Sequence, residues 1–134
     1  MSTKPYHLLF GSFFALTAVV IGAFGAHALK EVLGTEQLQS FEIGVKYQMY
    51  HGLILLMIAL KGHHFHLRYE NWIVSFFGIG TVLFSFSIYM LNLQDLLGLK
   101  IDVLGPLTPI GGGFLILGWS LILVEAIRLI SIKK

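Results

Sequence analysis

The chain runs to 134 residues with no cysteine, 56% hydrophobic and only 12% charged residues, a net charge of +2 and a mean hydropathy of +0.81. Soluble domains carry about a quarter charged residues, and a domain this short has no core that could hide four long apolar stretches. The missing cysteines exclude disulfides, thiolate metal sites and a cysteine nucleophile, and the few lysines and arginines, scattered at segment ends, form no phosphate-binding patch for nucleic acid.

The first apolar stretch covers 8–29, and roughly 20 apolar residues suffice for a helix to cross the hydrocarbon layer. Lys4, this run and Ala26-His27-Ala28 imitate a secretory signal with its cleavage site. The run is longer than the roughly 7–15 apolar residues of such a signal, so we read a retained membrane helix. Gly11, Ala15, Ala18, Gly22 and Gly25 recur along it at alternating spacings of four and three. Apolar burial drives helices together only weakly in lipid, and a seam of small side chains lets backbones touch. A helix-packing face is expected here.

Residues 30–51 are the most polar stretch. Thr35 is the expected N-cap; beyond it Leu38, Phe41, Val45 and Met49 recur at helical spacing. Glu42 and Lys46 stand four apart in the favourable order. The expectation is one continuous helix, its amphipathic first half on or just outside the membrane and its second half, 44–60, spanning it. At about 1.5 Å per residue His51 lies roughly 15 Å from the end near Lys61, close to the bilayer midplane. Tyr47, Gln48 and Tyr50 lie above it.

The loop 62–71 contains His63, His64 and His66. Imidazoles bind transition metals, but no carboxylate or cysteine stands at ligand spacing and Phe65 interrupts the run, so a cationic interfacial loop and no metal site is expected. The third span, 72–91, holds Ser75, Thr81, Ser85, Ser87 and Tyr89 with Gly78 and Gly80 midway; hydroxyls in a membrane helix bond back to their own carbonyls or across to a neighbour. Residues 92–105 read as a loop ending in a Gly105-Pro106 turn. The fourth span, 107–130, opens with Leu107-Thr108-Pro109 and continues into Gly111, Gly112 and Gly113. Proline at a helix start is tolerated because the N–H it lacks would have had no partner. Three consecutive glycines predict a close backbone crossing, against the small seam of the first span; the competing reading is a broken entry helix that holds an anionic group on free N–H groups. Glu125 and Arg128, three apart, are expected to pair and snorkel.

With four spans both termini share a face with the middle loop. That face carries Lys4, Lys61, Arg68, Arg128, Lys133 and Lys134, against Lys30, Lys46 and Lys100 on the other. By the positive-inside rule both termini are expected in the cytoplasm, and Tyr6, Tyr69, Trp72 and Tyr89 fall at interfaces where amphipathic rings settle. The fold class is thus an all-α integral membrane bundle of four transmembrane helices in one domain, 1–134, the second helix extended by an amphipathic outer segment.

Three motifs carry a family resemblance: Gly22-Ala23-Phe24-Gly25-Ala26-His27-Ala28-Leu29, then Phe41-Glu42-Ile43-Gly44-Val45-Lys46-Tyr47-Gln48-Met49-Tyr50-His51, then Thr108-Pro109-Ile110-Gly111-Gly112 leading to Gly118-Trp119. In this order they resemble the YgdD/YwdK-type family of small membrane proteins of unknown function, which has eukaryotic relatives. The resemblance covers nearly the whole chain and implies a multi-pass protein of the bacterial plasma membrane. It brings no reaction, substrate or cofactor. Phe84-Ser85-Phe86-Ser87-Ile88-Tyr89 departs from the family pattern, with a phenylalanine in place of a small glycine, which argues against close packing there.

Topology and motifs together sort the polar residues His27, Tyr47, Gln48, His51, Tyr89, Asn92 and Thr108 into the outer half of the membrane. Polar groups at membrane depth face the bundle interior, so an outward-facing cluster is expected, with His51 its deepest member. A hydrogen-bond network that fixes helix register is the first reading. A pocket for a lipid, a quinone or a small solute is the second, and histidine would let it respond to protons. His27 and His51 differ in height by roughly 10 Å, which argues against a shared haem. No catalytic motif is present, so neither an enzyme nor a cofactor is expected. The partners expected are membrane lipid and either a second copy or a larger membrane complex, and the function is that of a structural or accessory membrane component.

Overall fold

A computed structural model describes residues 4–61 and 66–132. Lys4, in an extended conformation, leads into α1 (Pro5–His27), with Pro5 in the first turn where its missing N–H is harmless. A short 3₁₀ turn, Leu29–Glu31, connects to α2 (Thr35–Leu60). The cap of α2 is Gly34, not Thr35. Gly34 is extended and its N–H donates to Gln37 Oε1 at 3.1 Å. This is the half of a capping box that needs no side chain at the cap, and it leaves Thr35 already helical. The third span is α3 (Glu70–Thr81), a π-helical turn over Val82–Phe86 and α4 (Ser87–Leu93). Gly98, with φ +63°, turns the chain after it; a side chain there would be strained. A second 3₁₀ turn, Asp102–Leu104, precedes α5, which runs unbroken over Leu107–Ile132. Among the described residues four helices are long and apolar enough to cross a membrane, and the fold is an all-α membrane bundle.

Packing divides the bundle into two tight pairs, α1 on α2 and α5 on the third span, joined where α2 meets the third span. Small residues set both contacts. A Cβ on Gly11 would lie 2.8 Å from the Leu56 nitrogen, and one on Gly52 would lie 3.0 Å from the Ala15 nitrogen. Farther along the same seam, Gly22 faces Val45 and Gly25 faces the Phe41 ring, while Ala18 is completely buried. The seam of α1 is therefore taken by α2.

The glycines of α5 meet the third span and not α1. A Cβ on Gly111 would lie 2.5 Å from the Phe84 nitrogen and 3.0 Å from the Gly80 oxygen. Gly80 in turn accommodates Leu115, and Gly118 accommodates the Phe77 ring. Gly112 makes only ordinary contact with the Phe84 ring, and Gly113 has nothing within 4 Å. The expected crossing exists with a different partner, because α2 has already filled the small face of α1. Phe84 does not loosen the contact: its backbone meets Gly111, while its ring turns away to stack on Tyr47 at 4.6 Å.

Two apolar clusters result. One joins Phe14, Leu55, Ile58, Ile73, Phe77 and Leu115. The other, at the opposite end, gathers Leu29, Leu33, Phe41 and Tyr89. The amphipathic start of α2 thus buries Phe41 against the connection from α1 and against α4, while Glu42 and Lys46 pair at 3.6 Å on its exposed side. Leu9, Leu16 and Val20 of α1, and Ile116, Leu123 and Ile130 of α5, point outward, as residues solvated by lipid do.

Candidate functional site

The polar residues between α1, α2 and the third span form a clasp with Gln48 at its centre. Gln48 sits one turn after Gly44, and the two are gripped by Ser85 and Tyr89, which stand one turn apart on the third span. Ser85 Oγ donates to the Gly44 carbonyl at 2.8 Å, and the Tyr89 hydroxyl donates to Gln48 Oε1 at 2.8 Å. The amide nitrogen of Gln48 donates to the Phe14 carbonyl at 3.0 Å and to Thr17 Oγ1 at 2.7 Å, both on α1. Its two N–H groups and its oxygen are thus all engaged, by partners on two other helices. Gly44 is what lets the tyrosine in: a Cβ there would lie 2.7 Å from the Tyr89 ring. The ring packs on Phe41 with centroids 4.9 Å apart. Tyr89 is therefore an interior residue and not one of the interfacial rings; Tyr6 and Trp72, by contrast, are 73% and 62% exposed.

Two further links lie nearby. Asn92 donates to Ser40 Oγ at 3.0 Å and back to the Ile88 carbonyl at 2.7 Å. Ser87 Oγ donates to the Phe84 carbonyl at 3.0 Å, so its one proton is used and Thr108 Oγ1 must donate to it across 2.7 Å. That last contact ties the start of α5 to α4.

His51 stands apart from the clasp. Its Nδ1 lies 2.7 Å from the Tyr47 carbonyl, and the Trp119 indole N–H points at Nε2 over 3.2 Å. A carbonyl only accepts and an indole N–H only donates, so the tautomer follows: Nδ1 carries the proton and Nε2 accepts. Both nitrogens are engaged. The ring also packs against Phe77 and Trp119 at 5.1 and 6.2 Å. Tyr47 is 40% exposed and stacks on Phe84, and His27 is exposed at the end of α1. Of the seven residues singled out from sequence, Gln48 and Tyr89 meet directly, Asn92 and Thr108 make separate links, and His27, Tyr47 and His51 lie outside the clasp. Thr17, Ser40, Ser85 and Trp119 complete these contacts; Ser85 and Tyr89 at a spacing of four, opposite Gly44 and Gln48 at the same spacing, was the available signal.

Charged residues gather at the other end, where Lys4, Lys61 and Glu70 sit. Glu70, 8% exposed, is approached by Lys61 at 2.8 Å, Lys4 at 3.3 Å and His7 at 3.5 Å. Glu125 pairs with Arg128 at 2.6 Å but does not snorkel. It is 1% exposed, because its other oxygen accepts the Tyr69 N–H at 3.1 Å and so anchors the start of α3 to α5. Arg128, which also reaches the His66 carbonyl at 3.2 Å, is the member that extends outward. Among the described residues no three His, Cys, Asp or Glu side chains form a metal-binding group; His63 and His64 lie outside the described residues. Among the described residues, one buried hydroxyl, Thr81 Oγ1 at the entry to the π turn, has no hydrogen-bond partner.

Residues 21–112 match the family described as "Protein of unknown function (DUF423)". The chain is 37% identical over 123 residues to a UPF0382 membrane protein of Staphylococcus epidermidis, covering 90% of this chain and 94% of the relative. It is 35% identical over 127 residues to the UPF0382 inner membrane protein YgdD of Escherichia coli K12, covering 95% and 93% of the two chains. It is also 36% identical over 122 residues to the UPF0382 membrane protein SSP2132 of Staphylococcus saprophyticus, covering 91% and 97%. No solved structure matches it. The Gly44–Gln48 and Ser85–Tyr89 halves of the clasp and the Gly111 crossing fall inside the matched region, and the chain belongs to the DUF423, or UPF0382, family of membrane proteins of unknown function.

Proposed function

We propose that the protein is a structural or accessory component of the bacterial plasma membrane, with both termini in the cytoplasm, acting by packing against a second copy or a larger membrane complex. One observation carries this reading: Gln48, buried between three helices, spends both its N–H groups and its oxygen on Phe14, Thr17 and Tyr89. Such a network fixes the register of three helices and leaves Gln48 no N–H for a ligand. His51, the residue around which a solute, quinone or lipid pocket would be built, has both ring nitrogens engaged as well. On this reading the protein has no catalytic role and no cofactor, and its partners are lipid and protein. The excess of basic residues on the face that carries Lys4, Lys61, Arg68 and Arg128 supports the orientation.

Two substitutions of His51 separate structure from ligand binding. Glutamine keeps a donor and an acceptor near Tyr47 and Trp119, whereas alanine leaves a gap and two unpaired groups. His51→Gln is expected to preserve stability and to complement a deletion strain, and His51→Ala to lose both. Native mass spectrometry of gently extracted protein reads oligomer size and retained ligand together. A folded His51→Gln protein that fails to complement and sheds a small molecule bound by the parent would overturn the structural reading.

A further inference from the structure

The face carrying the termini holds a feature the clasp does not use. Lys4 before α1, Lys61 after α2, and Arg68, Asn71 and Trp72 around the start of α3 line a cavity of about 390 Å³. Among the described lining residues, the cations Lys4, Lys61 and Arg68 outnumber the one carboxylate, that of Glu70. Lys4 also donates to Asn71 Oδ1 at 3.3 Å, so the amide N–H groups of Asn71 are the donors left for an anion. Arg68 is exposed, its guanidinium over the Tyr69 ring at 5.7 Å.

Next along the same helices, residues of α1 and α3 line a second cavity. The groove between them, about 400 Å³, is lined by Phe10, Phe14, Leu55, Val74, Gly78 and Val82 among others, and is almost wholly apolar. From Trp72 at the mouth to Val82 at its far end is a rise of roughly 15 Å, half the roughly 30 Å of the hydrocarbon layer. That is the depth of one leaflet. Gly78 stands midway along the wall, and a Cβ on it would meet nothing within 4 Å. Trp72, 62% exposed, sits where indole rings settle at the headgroup level.

We propose that mouth and groove together bind one anionic phospholipid. Its phosphodiester lies among Lys4, Lys61, Arg68 and Asn71, and an acyl chain runs between α1 and α3 past Gly78. Basic pockets between membrane helices hold anionic headgroups in this way. A soluble phosphate ester shares the headgroup chemistry but would use the mouth alone, and a zwitterionic lipid would gain little from the excess positive charge. Only an anionic lipid uses both parts.

The test is native mass spectrometry of the full chain in detergent, with phosphatidylglycerol, phosphatidylcholine or glycerol 3-phosphate added. One phosphatidylglycerol adduct is expected to survive at collision energies that remove phosphatidylcholine. Lys4→Gln and Arg68→Gln should each weaken it about fivefold, the effect of one cation near an anionic headgroup; Arg68 is exposed and its replacement leaves the Glu70 contacts intact. Gly78→Leu fills the groove from a position where a Cβ meets nothing within 4 Å, and should abolish the adduct while the protein stays monodisperse and melts no lower than the parent. Equal retention of the two lipids overturns the proposal. So does an adduct that survives Gly78→Leu, and so does glycerol 3-phosphate binding as tightly as phosphatidylglycerol, which would mark a site for soluble anions.

Discussion

Gly111 and Gly113 stand two residues apart in α5 and should respond differently to alanine. Glycine in a helix is destabilising by about 1 kcal/mol relative to alanine, so both substitutions gain this much before any contact is considered. At Gly113 nothing lies within 4 Å of the new methyl group, and the gain stands. At Gly111 the methyl group would lie 2.5 Å from the Phe84 nitrogen and 2.9 Å from its Cα. Ordinary contact begins near 3.4 Å, and both obstructing atoms are backbone, so no rotamer change relieves the clash. The helices must separate by close to an ångström, which loosens Gly80 against Leu115 along the same crossing. Overpacking of this kind costs about 1–3 kcal/mol. The helix-propensity contribution cancels between the two variants, so Gly111→Ala should be less stable than Gly113→Ala by about 1–3 kcal/mol. Reversible unfolding in mixed micelles, followed by tryptophan fluorescence, measures the difference. Equal stabilities, or a more stable Gly111→Ala, would refute the close crossing of α5 with the π turn.

Removing the Thr81 hydroxyl should stabilise the bundle. Its oxygen is enclosed without a partner, an arrangement worth about 1–3 kcal/mol of penalty; Thr81→Val keeps the shape and should raise the unfolding midpoint in the same micelle assay, whereas a lowered midpoint would mean that the hydroxyl is bonded. Arg128→Gln should destabilise by about 3–5 kcal/mol, since it strands the Glu125 carboxylate, 1% exposed, with the Tyr69 N–H as its remaining partner. Adding Glu125→Gln to that variant should recover part of the loss, and an additive further loss would contradict the pairing.

Periodicity and charge located the helices because lipid imposes a simple demand: a span must be long, apolar and internally hydrogen-bonded. The α1 seam was legible for the same reason, small residues at spacings of three and four marking a face that touches another backbone. Which backbone it touches was not legible. The seam of α1 and the glycines of α5 are equally small, and local sequence does not say that Gly52 and Leu56 meet the first while Phe84 meets the second. Phe84 misled because a large residue reads as a spacer, although it is the main chain that makes this contact. Depth in the membrane was enough to group Gln48, Tyr89, Asn92 and Thr108 in one half, yet direction around the helix decides who bonds to whom. His51 and Gln48 are three residues apart on α2; one faces Trp119 of α5 and the other faces Thr17 of α1. The π turn over Val82–Phe86 leaves no composition signal, and it changes the direction of every residue beyond it. Glu125 looked like an exposed partner for Arg128 because its second ligand, the Tyr69 N–H, comes from 56 residues away.

The central claim is that the buried polar side chains in the half of the bundle away from the termini hold helices to one another. A double-substitution cycle on Gln48→Met and Tyr89→Phe, read by reversible unfolding in bicelles, tests it most directly. The 2.8 Å bond between the two side chains predicts that each single variant is destabilised and that the pair is coupled by about 0.6 kcal/mol and at most about 1.7, the average and the maximum measured for interhelical hydrogen bonds in membranes. Strictly additive losses, or single variants as stable as the parent, would contradict it.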